Sequence, residues 1–169
     1  MFMKEDIKIR DAEISDLSSI VDIYNSTISS RMVTADTEPV TVKSREQWFN
    51  EHSPSFRPLW IIESQGEICG WVSFQSFYGR PAYNGTAEIS IYIHQMYRGR
   101  GMGKHILHKV LDTCPKLKIK TILAFIFAHN KASLQLFSCF DFEKWAHLPN
   151  VAELDGVERD LIILGKRVL

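Results

Sequence analysis

The chain has 169 residues, with 20 Lys and Arg balancing 20 Asp and Glu. That length suits one well-buried domain and is short for two, so a single domain over residues 1–169 is expected. Hydrophobic residues make up 45% and charged residues 24%, an ordinary globular composition without the overall basic field that would favour nucleic acid as the main partner.

The N-terminal Met-Phe-Met-Lys-Glu-Asp lacks an apolar core of signal-peptide length. No apolar run approaches the roughly 20 residues needed to span a bilayer. Residues 7–10 predict a short edge strand. Ser15 opens a helical pattern in which Leu17, Ile20, Val21, Tyr24 and Ile28 recur at spacings of three and four. Residues 31–42 are polar, carry a proline and predict a loop. Ser44 and Gln47 have capping-box spacing ahead of Trp48 and Phe49, which predicts a short second helix. Residues 59–64 and 67–75 are apolar, β-branched and aromatic, and Gln65-Gly66 between them predicts a hairpin. A loop rich in Gly, Pro, Asn and Tyr covers residues 77–85. Residues 87–94 alternate strictly, with Ile89, Ile91 and Ile93 on one face and Glu88, Ser90, Tyr92 and His94 on the other.

Between that strand and the next helix, residues 97–105 read Tyr-Arg-Gly-Arg-Gly-Met-Gly-Lys-His. Arg98, Gly101 and Gly103 make an Arg-x-x-Gly-x-Gly spacing. Glycines permit positive φ and close approach to a ligand. A helix beginning there aims unpaired N–H groups and its positive dipole end at an anion. Arg98, Arg100 and Lys104 add charged donors. The order is neither a Walker loop nor the dinucleotide Gly-x-Gly-x-x-Gly. Taken alone, the loop is equally a tight strand-to-helix turn with solvated arginines.

A helix follows over residues 102–113 and ends before Pro115. Residues 120–128 are almost wholly apolar, as in a strand covered on both faces. Asn130 can cap a further helix reaching residues 136–139. Strands at 142–145 and 159–165, separated by a polar loop at 148–156, close the pattern. No repeat or linker interrupts it, so a mixed α/β domain is expected. Cys69, Cys114 and Cys139 are sparse and odd in number, which favours a reducing compartment, the cytoplasm, over a disulfide framework. His105 and His108 lie three apart without a third ligand, so a solvated helix face is favoured over a metal site. His94 and His129 fall at strand ends, where loop placement accounts for them. Phe125, Phe127, Phe137, Phe140 and Phe142 are candidate core.

The element order and the Arg-x-x-Gly-x-Gly loop resemble the GNAT superfamily of acetyl-CoA-dependent N-acetyltransferases over almost the whole chain. The resemblance is to the phosphinothricin and methionine sulfoximine acetyltransferase branch. It is carried by Thr37-Glu38-Pro39, by Arg80-Pro81-Ala82-Tyr83 leading to Thr86-Ala87-Glu88, by Ile91-Tyr92-Ile93, by the loop, and by Asn130, Ser133 and Leu136 in an Asn-x-x-Ser-x-x-Leu pattern. It implies a twisted, mostly antiparallel sheet of six or seven strands, splayed between the fourth and fifth and flanked by about four helices. It also implies acetyl-CoA as co-substrate, held by Arg98, Gly99, Arg100, Gly101, Met102, Gly103 and Lys104, with Ile91, Tyr92 and Ile93 along the pantetheine and Asn130 and Ser133 near the thiol. Transfer is direct, without metal.

Glu88 matches the family's general base, and an alkyl amine, protonated near neutrality, needs one; a solvated strand-end carboxylate is the alternative. Arg80, Tyr83 and Ala35 fall at substrate positions, where Arg80 could fork onto a carboxylate. Solvated Arg80 and packed Tyr83 remain the alternative. Phe137 stands where the resemblance gives Tyr or His, Asp141-Phe142 where it gives Gly-Phe or Gly-Tyr, Ala35 where it gives Phe, and Tyr78 where it gives a basic residue. The implied acceptor is the α-amine of a small amino acid or amino-acid-like toxin, and the implied assembly is a homodimer. Peptide or protein N-terminal acetylation, and a non-catalytic acyl-CoA-binding module, are the rival readings.

Overall fold

The computed structural model describes residues 6–169; residues 1–5, part of the segment judged to lack a leader, lie outside them. Its strands are β1 (Ile7–Asp11), β2 (Leu59–Ser64), β3 (Glu67–Ser76), β4 (Thr86–Ile93), β5 (Thr121–Phe127), β6 (Glu143–Leu154) and β7 (Val157–Arg167). Its helices are α1 (Leu17–Ile28), α2 (Val42–Asn50), α3 (Met102–Thr113) and α4 (Lys131–Ser138). All seven strands join one sheet in the order β1-β2-β3-β4-β5-β7-β6. Every pairing is antiparallel except β4 with β5, matching the expected mixed GNAT fold.

Strand alternation sorts the two faces. Trp60, Ile62, Val72, Phe74, Ala87 and Ile89 face α3 and α4, where they meet Met102, Ile106, Leu107, Val110 and Phe137. Leu59, Ile61 and Trp71 face the other way, against Ile20, Ile23, Tyr24, Trp48 and Phe49 of α1 and α2. The register shifts between Ile62 and Glu63, whose partners on β3 are Gly70 and Ile68. Cys69 is therefore the extra residue of a bulge, which lets both Cys69 and Val72 face the α3 side. At Gly70 an added Cβ would lie 2.6 Å from the Tyr92 carbonyl, so only glycine permits this approach of β3 to β4.

The parallel pairing of β4 with β5 stops after three rungs, Thr86 to Glu88 against Thr121 to Leu123. Beyond it β4 stays paired to β3 as far as Ile93, while β5 pairs with β7. Every second residue from Ile89 onward thus turns its N–H and C=O into a gap with no β5 partner. This is the expected splay.

Three local expectations are corrected. α1 starts at Leu17, because Ile14 to Asp16 form a single 3-10 turn that contains Ser15. α2 starts at Val42, capped reciprocally by Thr41 and Ser44, so the Ser44–Gln47 spacing lies inside the helix. The polar loop at 148–156 is mostly strand: β6 and β7 form a long hairpin with register shifts at Lys144/Ala146 and Leu148/Ala152. It turns at Asp155-Gly156, both with positive φ (53° and 76°), the geometry that a two-residue hairpin turn demands.

Candidate active site

The loop after β4 is held from behind: Arg98 Nε donates to the Ile93 carbonyl at 3.0 Å. Gly99 and Gly101 have φ of +73° and +80°, and an added Cβ at either would meet nothing within 4 Å. Glycine is needed there for backbone conformation, and open space lies in front of it. Gly101 caps α3, so the first N–H groups of that helix face the same space. Gly103 differs. A Cβ there would sit 2.9 Å from Leu136 Cδ2, so this glycine lets α3 lie close against α4. Met102 is buried in the core and can offer a ligand only its backbone. Arg100 lies over the Tyr97 ring, 5.7 Å from its centroid.

Arg98, Gly99, Gly101, Gly103 and Lys104 line a groove of about 570 Å³ that runs between α3, α4 and the end of β4, and among the described residues no acidic side chain lines it. Ile91 to Ile93, Asn130 and Ser133 line it as well. Its inner end opens into the splay, where Ile89 to Tyr92 face Ala124 to Phe127.

Asn130 is buried and holds this corner together. Its Oδ1 accepts from the Ser133 N–H at 3.2 Å, and its Nδ2 donates to the Met32 carbonyl at 3.2 Å. His129 Nε2 reaches the Arg31 carbonyl at 2.7 Å, so the connection after α1 is tied across the gap to the start of α4. Phe137 is buried, edge-on to Phe142 at 5.0 Å, and supplies no proton. Asp141 takes the left-handed conformation (φ 62°) expected at the end of α4.

Glu88 is the last β4 residue paired on both sides, to Gln75 and Leu123. Its side chain enters a second cavity, of about 220 Å³, on the α1–α2 face. The carboxylate is half-buried, and among the described residues it makes no hydrogen bond or ion pair. Burial raises its pKa above the ordinary carboxylate value. The cavity is walled by Ile20, Val21, Val40, Trp48 and Trp71, with Ser73, Gln75 and Ser90 as neutral polar groups and Tyr24, Arg45 and Tyr92 at its sides.

Tyr92 lines this cavity, the groove and the splay alike. Its ring stacks on Trp71 at 4.5 Å, and burial raises the phenol pKa, keeping it protonated near neutrality. The Tyr24 hydroxyl meets Thr34 at 2.5 Å and also Asp36. Arg45 donates through Nη2 to Asp36 at 3.0 Å and lies over the Tyr24 ring. His52 Nδ1 sits 2.8 Å from the Trp48 carbonyl and must donate to it, so Nε2 accepts from the Ser73 hydroxyl at 2.8 Å. Burial lowers the His52 pKa and favours this neutral form. It fixes Ser73 in the wall.

The structure thus gathers Glu88 with one set of residues and leaves the substrate candidates apart. Arg80 and Ala35 are exposed, and Tyr83 rests on Phe77 and Tyr78; none of the three lines the Glu88 cavity. Arg45, Trp48, Trp71 and Ser73 line it instead. The sequence signal for two of them was Arg45 three residues before Trp48, one helical turn apart on α2. For Ser73 there was none. His108 packs edge-on to Phe140 at 4.8 Å, and no cluster of three His, Cys, Asp or Glu occurs among the described residues.

The Acetyltransferase (GNAT) family matches residues 20–142. YwnH of Bacillus subtilis (strain 168), provisionally named a phosphinothricin acetyltransferase, is 52% identical over 161 residues, covering 95% of this chain and 98% of its own. The L-methionine sulfoximine/L-methionine sulfone acetyltransferase of Pseudomonas aeruginosa is 27% identical over 157 residues, covering 92% of this chain and 91% of its own. A crystal structure of a protein provisionally named a phosphinothricin N-acetyltransferase superposes with a TM-score of 0.93 at 51% identity, covering 96% of this chain and 99% of that one. Glycine loop, parted strands and relatives agree: the chain belongs to the GNAT acetyltransferase family and is an N-acetyltransferase.

Proposed function

We propose that this chain transfers acetyl from acetyl-CoA to the α-amine of a small amino acid or analogue of the methionine sulfoximine, methionine sulfone or phosphinothricin type, with Glu88 as general base. The observation that carries the proposal is Glu88 itself: a half-buried carboxylate with no hydrogen-bond or ion-pair partner among the described residues, beside the point where β4 and β5 part. The relatives' names support the acceptor class.

The residues present fit the co-substrate. Open space before Gly99 and Gly101, the start of α3 and the absence of acidic side chains from the groove among the described residues suit a pyrophosphate. Unpaired backbone in the splay suits an extended amide-bearing arm and offers N–H donors to a carbonyl oxygen. Bound there, acetyl-CoA supplies an acyl group already activated as a thioester.

Glu88 takes a proton from the ammonium, leaving the amine lone pair free to attack. Its raised pKa brings it closer to the operating pH, which strengthens it as a base there. Because Phe137 cannot donate, the departing thiolate is reprotonated by water or by one of the hydroxyls lining the splay, those of Ser90, Tyr92 and Ser133.

The test is free-thiol release from acetyl-CoA over a panel of phosphinothricin, methionine sulfoximine, methionine sulfone, common amino acids, a polyamine and a short peptide. Turnover is expected on the sulfoximine-type acids. A second reading, an acyl-CoA-binding module without chemistry, draws on Phe137. Tight acetyl-CoA binding with no thiol release on any amine would favour it and overturn the first.

A further inference from the structure

We propose that Arg45 is the carboxylate anchor of the acceptor pocket, and that it makes the enzyme select free α-amino acids over the same amines lacking a carboxylate. This rests on the reading of the Glu88 cavity as the amine site. Among the described residues two charged side chains line that cavity, Glu88 and Arg45, and they are opposite in sign. An α-amino acid is a zwitterion whose ammonium and carboxylate are one carbon apart. Glu88 complements the first group and Arg45 the second. Trp48 and Trp71, edge-to-face at 5.5 Å, give the acceptor side chain an apolar wall, with Ser73, Gln75 and Ser90 as neutral polar partners.

Arg45 also has donors to offer. It contacts Asp36 through Nη2 alone, and among the described residues Nε and Nη1 make no other hydrogen bond. Three other arginines, by contrast, are engaged at every guanidinium nitrogen. Arg10 holds both Asp16 and Glu63, Arg31 holds Asp155 and two backbone carbonyls, and Arg57 reaches Ser76 and three carbonyls. A guanidinium held through one nitrogen, lining the cavity and with N–H donors left over, is suited to carboxylate recognition. Arg80, the candidate named by sequence, is exposed and lines no part of this space.

The experiment compares methionine sulfone with its carboxamide on wild-type protein and on Arg45→Gln, Arg45→Lys and Arg80→Gln. Calorimetric binding to the CoA-saturated protein is one readout and thiol release from acetyl-CoA is the other. Arg45→Gln should weaken the acid about 10- to 100-fold, in line with a lost charge-assisted pair, and leave the amide within about threefold. Arg45→Lys should recover part of the loss, and acetyl-CoA affinity should not move. Equal weakening of acid and amide, or loss of acid selectivity in Arg80→Gln instead, overturns the anchor while leaving the transfer reaction standing. Selective loss of acid binding in Arg45→Gln without thiol release from any variant upholds the anchor and removes the reaction.

Discussion

The groove before α3 is built from backbone, whereas the Glu88 cavity is built from side chains delivered by α1, α2, β3 and β4. In the groove, φ at Gly99 and Gly101 and the open start of α3 make the binding surface, and these features lie within a few consecutive residues. In the cavity, Tyr24, Arg45, Ser73 and Glu88 become neighbours only when two helices dock on the sheet. The first kind of site tolerates changes of side chain but not of backbone conformation. The second is the reverse, and it is where members of one family can come to differ in acceptor.

The largest expected effect tests the cavity. Glu88→Gln should lower kcat by about 10²- to 10⁴-fold, the usual worth of a general base, with acetyl-CoA affinity unchanged by calorimetry. An unaltered rate would remove Glu88 from the mechanism. Next comes the groove. Gly101→Val forces a β-branched residue to φ of +80°, a strain of about 1–3 kcal/mol. Acetyl-CoA affinity should fall about tenfold or more, while the acceptor KM at saturating acetyl-CoA holds. Loss of both together would show that the two regions are not separable.

Protonation gives a third way to sharpen the contrast. Glu88 must be ionised to act, so kcat/KM should fall as pH drops through its raised pKa, at a pH above the ordinary carboxylate range near 4.3. The limb should vanish in Glu88→Gln. Stability should run the opposite way. A carboxyl with a raised folded-state pKa binds more protons folded than unfolded, so it destabilises increasingly as pH rises through that range. Glu88→Gln should therefore raise Tm at pH 7 relative to its effect at pH 4. The smallest effect is expected at Ser133, whose backbone N–H is the group held by Asn130. Ser133→Ala should change acetyl-CoA KM by less than about threefold, and a larger change would show that its hydroxyl, not its backbone, serves the ligand.

This division also explains what was legible in the sequence. Residues 98–104 announced the groove because positive φ, a cap and charge are local properties. Gln65-Gly66 announced the β2–β3 hairpin for the same reason, and both residues do take positive φ. Asp155-Gly156 carried an equal signal, but Pro149 and Asn150 obscured it, since the bulge between Leu148 and Ala152 absorbs them without ending β6. Arg80 and Tyr83 stood out by proximity to Glu88 in the chain. Neither lines the Glu88 cavity, whereas Arg45, 43 residues upstream of Glu88, reaches it from α2. The spacing of Arg45 and Trp48 puts them on one face of α2, but nothing local says that Glu88 lies opposite that face.

The contact of Gly103 with Leu136 reaches beyond this one chain. Leu136 takes the space that a Cβ at position 103 would need, 2.9 Å from its Cδ2, so the side chain at 136 relies on the glycine at 103. A lineage that trims residue 136 to alanine opens room for alanine at 103, and one that enlarges 103 first meets a crowded α4. The two positions should therefore drift as a linked pair across descendants of a common ancestor, in an order set by sterics: small at 136 before large at 103.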